Sequence, residues 1–293
     1  MTAMWTLWIL ASAAFLSFYD IAKKASVREN AVLPVLLFAT IAGGGAYVTV
    51  LGAAGGLPAA LDVSLRDFAL ICVKSAIVST SWILTYCALR SLPITIATPI
   101  RASAPAIVFI AAFFLYGERP TIVQGIGIAL VFAGYWAFSK AGRFEGIDFI
   151  RSRAVWLAVG GMFMSAVSSL WDKFILQKCA IPVDTVQFWF QIGLVSIYAL
   201  LLAGQKALRI DSRKFEWRWT IPATGILLSA ADWLYFNGLA IPGVPISVGS
   251  LMRRFSVVVT FLLGAVFFKE RNLKRKGAAL AAILAGVILL CLQ

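Results

Sequence analysis

Ten apolar stretches run through this 293-residue chain with only short polar connections between them. They can be drawn at 4–22, 31–52, 68–89, 94–116, 121–139, 154–176, 185–204, 219–240, 246–268 and 277–292. Each is about 20 residues long, enough to cross roughly 30 Å of hydrocarbon as a helix. A backbone in lipid must satisfy its N–H and C=O groups internally, so repeated stretches of this length become membrane-spanning helices. The expected fold is all-α and integral to the membrane, with ten transmembrane helices and no soluble domain. The composition agrees, being 61% hydrophobic with 13% charged residues and a mean hydropathy of +0.90, beyond the range of soluble domains. The first stretch lacks a basic leader and a small-residue cleavage site, so it is expected to stay in the chain rather than act as a signal peptide.

Several functions are excluded at once. The chain has no histidine, which rules out a His relay, a His-bound metal or a Ser-His nucleophile. Cys72, Cys87, Cys179 and Cys291 show no metal or redox spacing. No nucleotide-binding loop is present, so ATP-driven pumping is not indicated. No catalytic residue, metal or cofactor is expected.

An internal repeat organises the stretches. Shifting the chain by 152 residues lays "LPITIATPIRASAPAIVFIAAFFLYGERPT" (92–121) on "VPISVGSLMRRFSVVVTFLLGAVFFKERNL" (244–273). Asp20 falls on Asp172, Arg101 on Arg253 and Glu118 on Glu270. Gly125, Ala129 and Ala133 fall on Gly277, Ala281 and Ala285, two strips suited to close helix packing. Residues 1–140 form a first five-helix repeat, 141–153 a connecting loop and 154–293 a second repeat. An odd number of helices per half makes the repeats inverted. In secondary transporters the substrate site of such repeats lies near the pseudo-two-fold axis at mid-depth.

The chain resembles the EamA branch of the drug/metabolite transporter superfamily. The resemblance rests on "ALRSLPITIATPIRASAPAIVFIAAFFLYGERPTIVQGIGIALVFAGYWAF" and on a second copy ending "FFKERNLKRKGAALAAILAGVILL". It implies a cavity formed by segments 1, 3, 4, 6, 8 and 9, with segments 5 and 10 as outer scaffold. It also implies movement of small metabolites, often export of amino acids or related compounds. Two features depart from the expected pattern. Arg101, Arg253 and Arg254 put fixed positive charge where relatives are expected to be more apolar, and Pro105 has Val257 as its counterpart.

Candidate cavity residues follow from helical spacing. Ser75, Ser79, Trp82 and Tyr86 recur at intervals of 4, 3 and 4, a narrow polar and aromatic stripe. A shift of 150 matches Ser79, Trp82 and Tyr86 to Ser229, Asp232 and Phe236. The stripe also reads as interhelical hydrogen bonding and aromatic packing without a ligand. The substrate-binding candidates are Ser79, Trp82, Tyr86, Asp232, Phe236, Arg254 and Lys74; Lys74 also reads as a snorkelling interface residue.

Charges inside hydrocarbon are disfavoured and need a partner or a task. In "SFYDIAKKA" (17–25) and "SLWDKFILQK" (169–178), Asp20 and Asp172 stand near helix ends. Matching depths predict that Asp20 pairs with Arg101 and Asp172 with Arg253, as gating pairs near opposite membrane faces. A local bond from Asp20 to Lys23 or Lys24 is the alternative. Lys173 reads as an interface residue, and Glu118 and Glu270 as local partners of Arg119 and Arg271. Trp5, Trp8, Trp217 and Trp219 read as an interfacial belt.

The net charge of +13 sits in loops. Eighteen Lys and Arg follow odd-numbered segments and three follow even-numbered ones, which places both termini outside the cytoplasm; the resemblance implies the opposite sidedness. No nucleic-acid partner is expected. The reading is a secondary transporter in a prokaryotic cytoplasmic (inner) membrane, moving a small anionic or zwitterionic organic metabolite by alternating access. The partners are the substrate and the bilayer, with the protein a monomer or weak homodimer. The rival readings are a flippase for a polar lipid or carrier-linked head group, and a non-transporting assembly factor or membrane-embedded enzyme.

Overall fold

The computed structural model describes residues 2–102, 104, 121–143, 147–175, 179–208, 213–240, 255–269 and 272–291. The described residues form helices and connecting turns. In chain order the helices are α1 (Thr2–Val27), α2 (Val32–Ala53), α3 (Leu57–Leu61), α4 (Leu65–Ser91), α5 (Ile94–Ala102) and α6 (Ile122–Arg143). There follow α7 (Arg153–Lys173), α8 (Val183–Ala207), α9 (Thr220–Ala240), α10 (Phe255–Phe267) and α11 (Leu273–Cys291). Val32–Ala53, Leu65–Ser91, Arg153–Asp172 and Val183–Ala207 are each long and apolar enough to cross a membrane.

Local chemistry sets the boundaries. The Ser64 hydroxyl accepts from the backbone N–H of Asp67 at 3.1 Å, capping α4, and Ser152 caps α7 through Val155. Helix α2 ends where Gly55 takes φ +72 and the Gly56 N–H reaches the Leu51 carbonyl at 3.0 Å, a Schellman turn that an L side chain disfavours. Two departures from the apolar stretches stand out. The short helix α3 falls between them, with Pro58 in its first turn. Helix α1 runs to Val27, five residues past the expected end at 22, and takes Lys23 and Lys24 into the helix. The remainders of stretches 94–116 and 246–268 lie outside the described residues.

Packing is reciprocal between the halves. Helix α1 packs most extensively on α9, and α4 on α7; α2 packs on α9, and α4 on α8. Under the shift that takes α1 to α7, α2 to α8 and α4 to α9, each pairing becomes the other. The contacts α6 with α11, α2 with α8 and α5 with α10 map onto themselves. Single residues follow the same rule. A Cβ on Gly134 would press on Ile283 and the Ala279 carbonyl, and one on Gly286 would press on Val131 and the Gly127 carbonyl. Those four neighbours, like the two glycines, are related by 152 positions.

The predicted small-residue strips do not make this contact. Gly125, Ala129, Ala133, Ala281 and Ala285 are exposed, and Gly277 is half-buried. The α6–α11 seam runs instead through Gly127, Val131 and Gly134 against Ala279, Ile283 and Gly286. Glycine and alanine allow the backbones to approach, while Val131 and Ile283 fill the flanks.

Candidate functional site

The last two turns of α1 carry Tyr19, Asp20, Lys23 and Lys24 into the interior. The i,i+3 spacing brings Lys23 Nζ to 2.7 Å from Asp20 Oδ1. From α5, the Arg101 guanidinium donates to the other carboxylate oxygen, Oδ2. Asp20 and Lys23 are almost fully buried, at 1% and 2% exposure, so both expected partners of Asp20 that can reach it from this side hold it together. The Lys23 ammonium also stands over the ring of Tyr19 at 4.3 Å and that of Tyr86 at 5.8 Å. A water-sized void adjoins the group, lined by Asp20, Lys23, Arg101, Thr85 and Thr98 among others.

A second small void adjoins Tyr19 and Tyr86. Trp82, Tyr86, Tyr19, Gln191, Thr40 and Ser229 line it. Trp82 meets Phe190 edge-on, with centroids 6.5 Å apart. Tyr19 and Tyr86 both line this second void, and the Lys23 ammonium stands over both rings. Tyr198 is fully buried nearby, and its hydroxyl has no hydrogen-bond partner among the described residues. Both voids are narrow, wide enough for water and too tight for an aromatic ring.

The serines of the stripe divide their work. Ser75 donates to the Ile71 carbonyl and, at 3.4 Å, to that of Phe190. Ser229 donates to the Gly43 carbonyl at 2.9 Å, stitching α9 to α2. Ser79 is buried and bonds the Ala76 carbonyl. Asp232 is half-buried on α9, one turn beyond Ser229 and within electrostatic reach of Tyr19.

Asp172 has a partner that the repeat did not predict. Lys74 Nζ, from α4, lies 2.6 Å from Asp172 Oδ1 on α7, an ion pair whose angles fall short of a hydrogen bond. Lys74 also stands 4.8 Å over the Phe190 ring and is buried at 7% exposure, so it is not snorkelling to the interface. The expected cation, Arg253, lies outside the described residues, as do Arg254 and the side chain of Phe236. Helix α4 crosses α7 directly, which sets Lys74 beside Asp172.

Two further buried lysines escaped sequence reasoning. Lys24 donates to the Leu89 carbonyl and, at 2.5 Å, to that of Leu92. It thereby satisfies carbonyls left open where α4 ends before α5. Lys276, fully buried in α11, donates to Thr95 Oγ1 at 2.9 Å. Counting them as loop residues placed them in water. The available signal was the uninterrupted helix-forming run "DIAKKASV", which lets α1 continue past the apolar stretch.

The described fold and its buried charges define a polytopic helical membrane protein. Residues 3–140 match the model of the EamA-like transporter family. One solved protein crystal structure superposes with a TM-score of 0.68 at 17% identity, covering 98% of this chain and 96% of its own, a likeness of fold alone. No curated protein matches the sequence.

Proposed function

We propose that the protein is a secondary transporter that moves a small anionic or zwitterionic organic metabolite by alternating access. The observation that carries this reading is the group Lys23, Asp20 and Arg101, two cations and one anion sealed inside an EamA-like unit beside a void. A surplus of buried positive charge attracts a carboxylate, sulfonate or phosphate, and the aromatic wall of Trp82 and Tyr86 suits an apolar body. Alternating access gives the buried ion pairs a task. The Asp20 group lies near the end of α1, and Asp172 with Lys74 lies toward the opposite face. As helices rock about the two halves, breaking one group while keeping the other opens the cavity to one side at a time.

A metabolite-library thermal-shift screen on the purified protein tests the reading, since a ligand that favours the native state raises its apparent stability. Anionic or zwitterionic hits that exchange across proteoliposomes are the expected result. Hits confined to neutral or cationic compounds, or binding without exchange, overturn it.

A further inference from the structure

We infer that Lys23 and Arg101 anchor the acidic group of the transported molecule, and that Asp20 is a built-in competitor which the incoming oxyanion displaces. This inference rests on the transport reading above and assigns the anchoring chemistry within it.

The charges lead to it first. Both oxygens of Asp20 are taken, Oδ1 by Lys23 and Oδ2 by Arg101. An ammonium has three N–H donors and a guanidinium five, so the two cations carry more donors than one carboxylate can accept. Among the described residues, Lys23 and Arg101 form their ion pairs with the same carboxylate, Asp20. One positive charge is therefore left without an anion among the described residues. Uncompensated charge away from water is strongly disfavoured, so a second anion at this place is favoured.

Geometry then says where that anion sits. The side chains of Asp20 and Lys23 are each 2% exposed, while that of Arg101 is 26% exposed. The open edge of the group is thus the Arg101 edge, and it faces a water-sized void together with Thr85 and Thr98, whose hydroxyls suit an oxyanion once the helices part. A ligand carboxylate or phosphate entering there meets Arg101 first and takes over its Asp20 contact. Tyr19 and Tyr86, on which Lys23 rests, line the void that holds Trp82.

The displaced carboxylate supplies the switch. With substrate bound, Asp20 loses one cation and α1 is no longer tied to α5 through it. Substrate binding and release of the α1–α5 tie become one event.

The test uses the full-length protein in detergent and calorimetric titration with sodium pyruvate and with inorganic phosphate, taking pyruvamide as the uncharged counterpart. Removing the competitor by Asp20→Asn is expected to tighten oxyanion binding about tenfold, and Arg101→Gln to weaken it about tenfold. The double variant is expected to lose the gain, and pyruvamide to be indifferent to all three. Whichever oxyanion binds more tightly to Asp20→Asn identifies the head group as carboxylate or phosphate. Weaker or unchanged binding in Asp20→Asn overturns the inference, as does failure of both oxyanions to bind any variant at tens of millimolar. Should Asp20→Asn not fold, Arg101→Lys against Arg101→Gln decides: the lysine variant is expected to stay within a few-fold of native, and equal binding by all three overturns the site. A transported anionic metabolite whose affinity ignores these substitutions removes this site and leaves the transport reading standing. Absence of exchange for every anion removes the transport reading itself.

Discussion

Lys74 Nζ lies 2.6 Å from Asp172 Oδ1, tying the middle of α4 to the end of α7. The two partners are unequally protected, for the lysine side chain is 8% exposed and the aspartate 35%. Removing one member of a buried pair costs about 3–5 kcal/mol because the other is left uncompensated, and less where water reaches the survivor. Asp172→Asn strands the buried ammonium and is expected to lower stability by about 3 kcal/mol, offset in part by the Phe190 ring. Lys74→Met leaves a carboxylate with access to water and is expected to cost about 1 kcal/mol. Unfolding of the two variants and their double in detergent measures this; equal single losses refute the unequal protection, and fully additive ones mean that the two residues act independently.

The crossing of α2 with α9 makes a second prediction. A Cβ at Gly225 would fall far inside van der Waals contact distance of the Ala39 carbonyl oxygen, and one at Gly43 would lie 2.7 Å from the Gly225 carbonyl oxygen. Both obstacles are backbone, so the helices themselves must part. Gly225→Ala is expected to cost about 3 kcal/mol or more, beyond the usual overpacking penalty. Gly45, two positions beyond Gly43 and with nothing within 4 Å, is the control: Gly45→Ala is expected to be neutral or slightly stabilising. Expression level and melting temperature separate the two, and equal behaviour refutes the close crossing.

How much of this was legible in the sequence differs by feature. Helix positions were, because hydrocarbon imposes a length that a run of apolar residues displays directly. The proximity of Asp20 and Arg101 was legible too, since two residues at similar depth from one interface can be matched by counting. The partner of Asp172 was not, for Lys74 and Asp172 meet through the lateral crossing of α4 and α7, and depth says nothing about which helix lies alongside. The burial of Lys23, Lys24 and Lys276 was hidden for another reason. Lysine at the edge of an apolar run normally reaches water, and only a folded neighbour supplies a carboxylate, open carbonyls or a hydroxyl instead. The seam of α6 and α11 was missed by a small rotation, because a strip of Gly and Ala on one face resembles a packing strip on the next.

Selectivity tests the second void. Trp82 lines it beside Tyr86, and Asp232 lies one turn from Ser229, another lining residue. Trp82→Ala is expected to weaken ligands with apolar bulk, and Asp232→Asn those bearing an amine, each by about tenfold, the scale of losing one good contact in a pocket. Titration with paired ligands that differ in one group measures the effect. If both variants bind all ligands as the native protein does, the stripe is packing alone.

Orientation is the last prediction, and burial sharpens it. Of the 18 basic residues assigned to loops after odd-numbered stretches, Lys23, Lys24 and Lys276 are inside the bundle. Removing these three leaves the excess over the three on the other side intact, because Arg28, Lys140, Arg151, Arg153, Lys206, Arg213, Lys214 and Arg218 remain among those assigned to that face. The buried lysines point the same way. Lys24 bonds carbonyls at the end of α4, and Lys276 bonds Thr95 at the start of α5, so both lie at the face where the odd-numbered stretches end. Basic residues near helix ends are retained on the cytoplasmic side, which puts that face inside and both termini outside. A C-terminal alkaline phosphatase fusion is expected to be active and a C-terminal green fluorescent fusion dark. The opposite pair of results reverses the assignment. It would also place the Lys23–Asp20–Arg101 group near the outer mouth of the transporter.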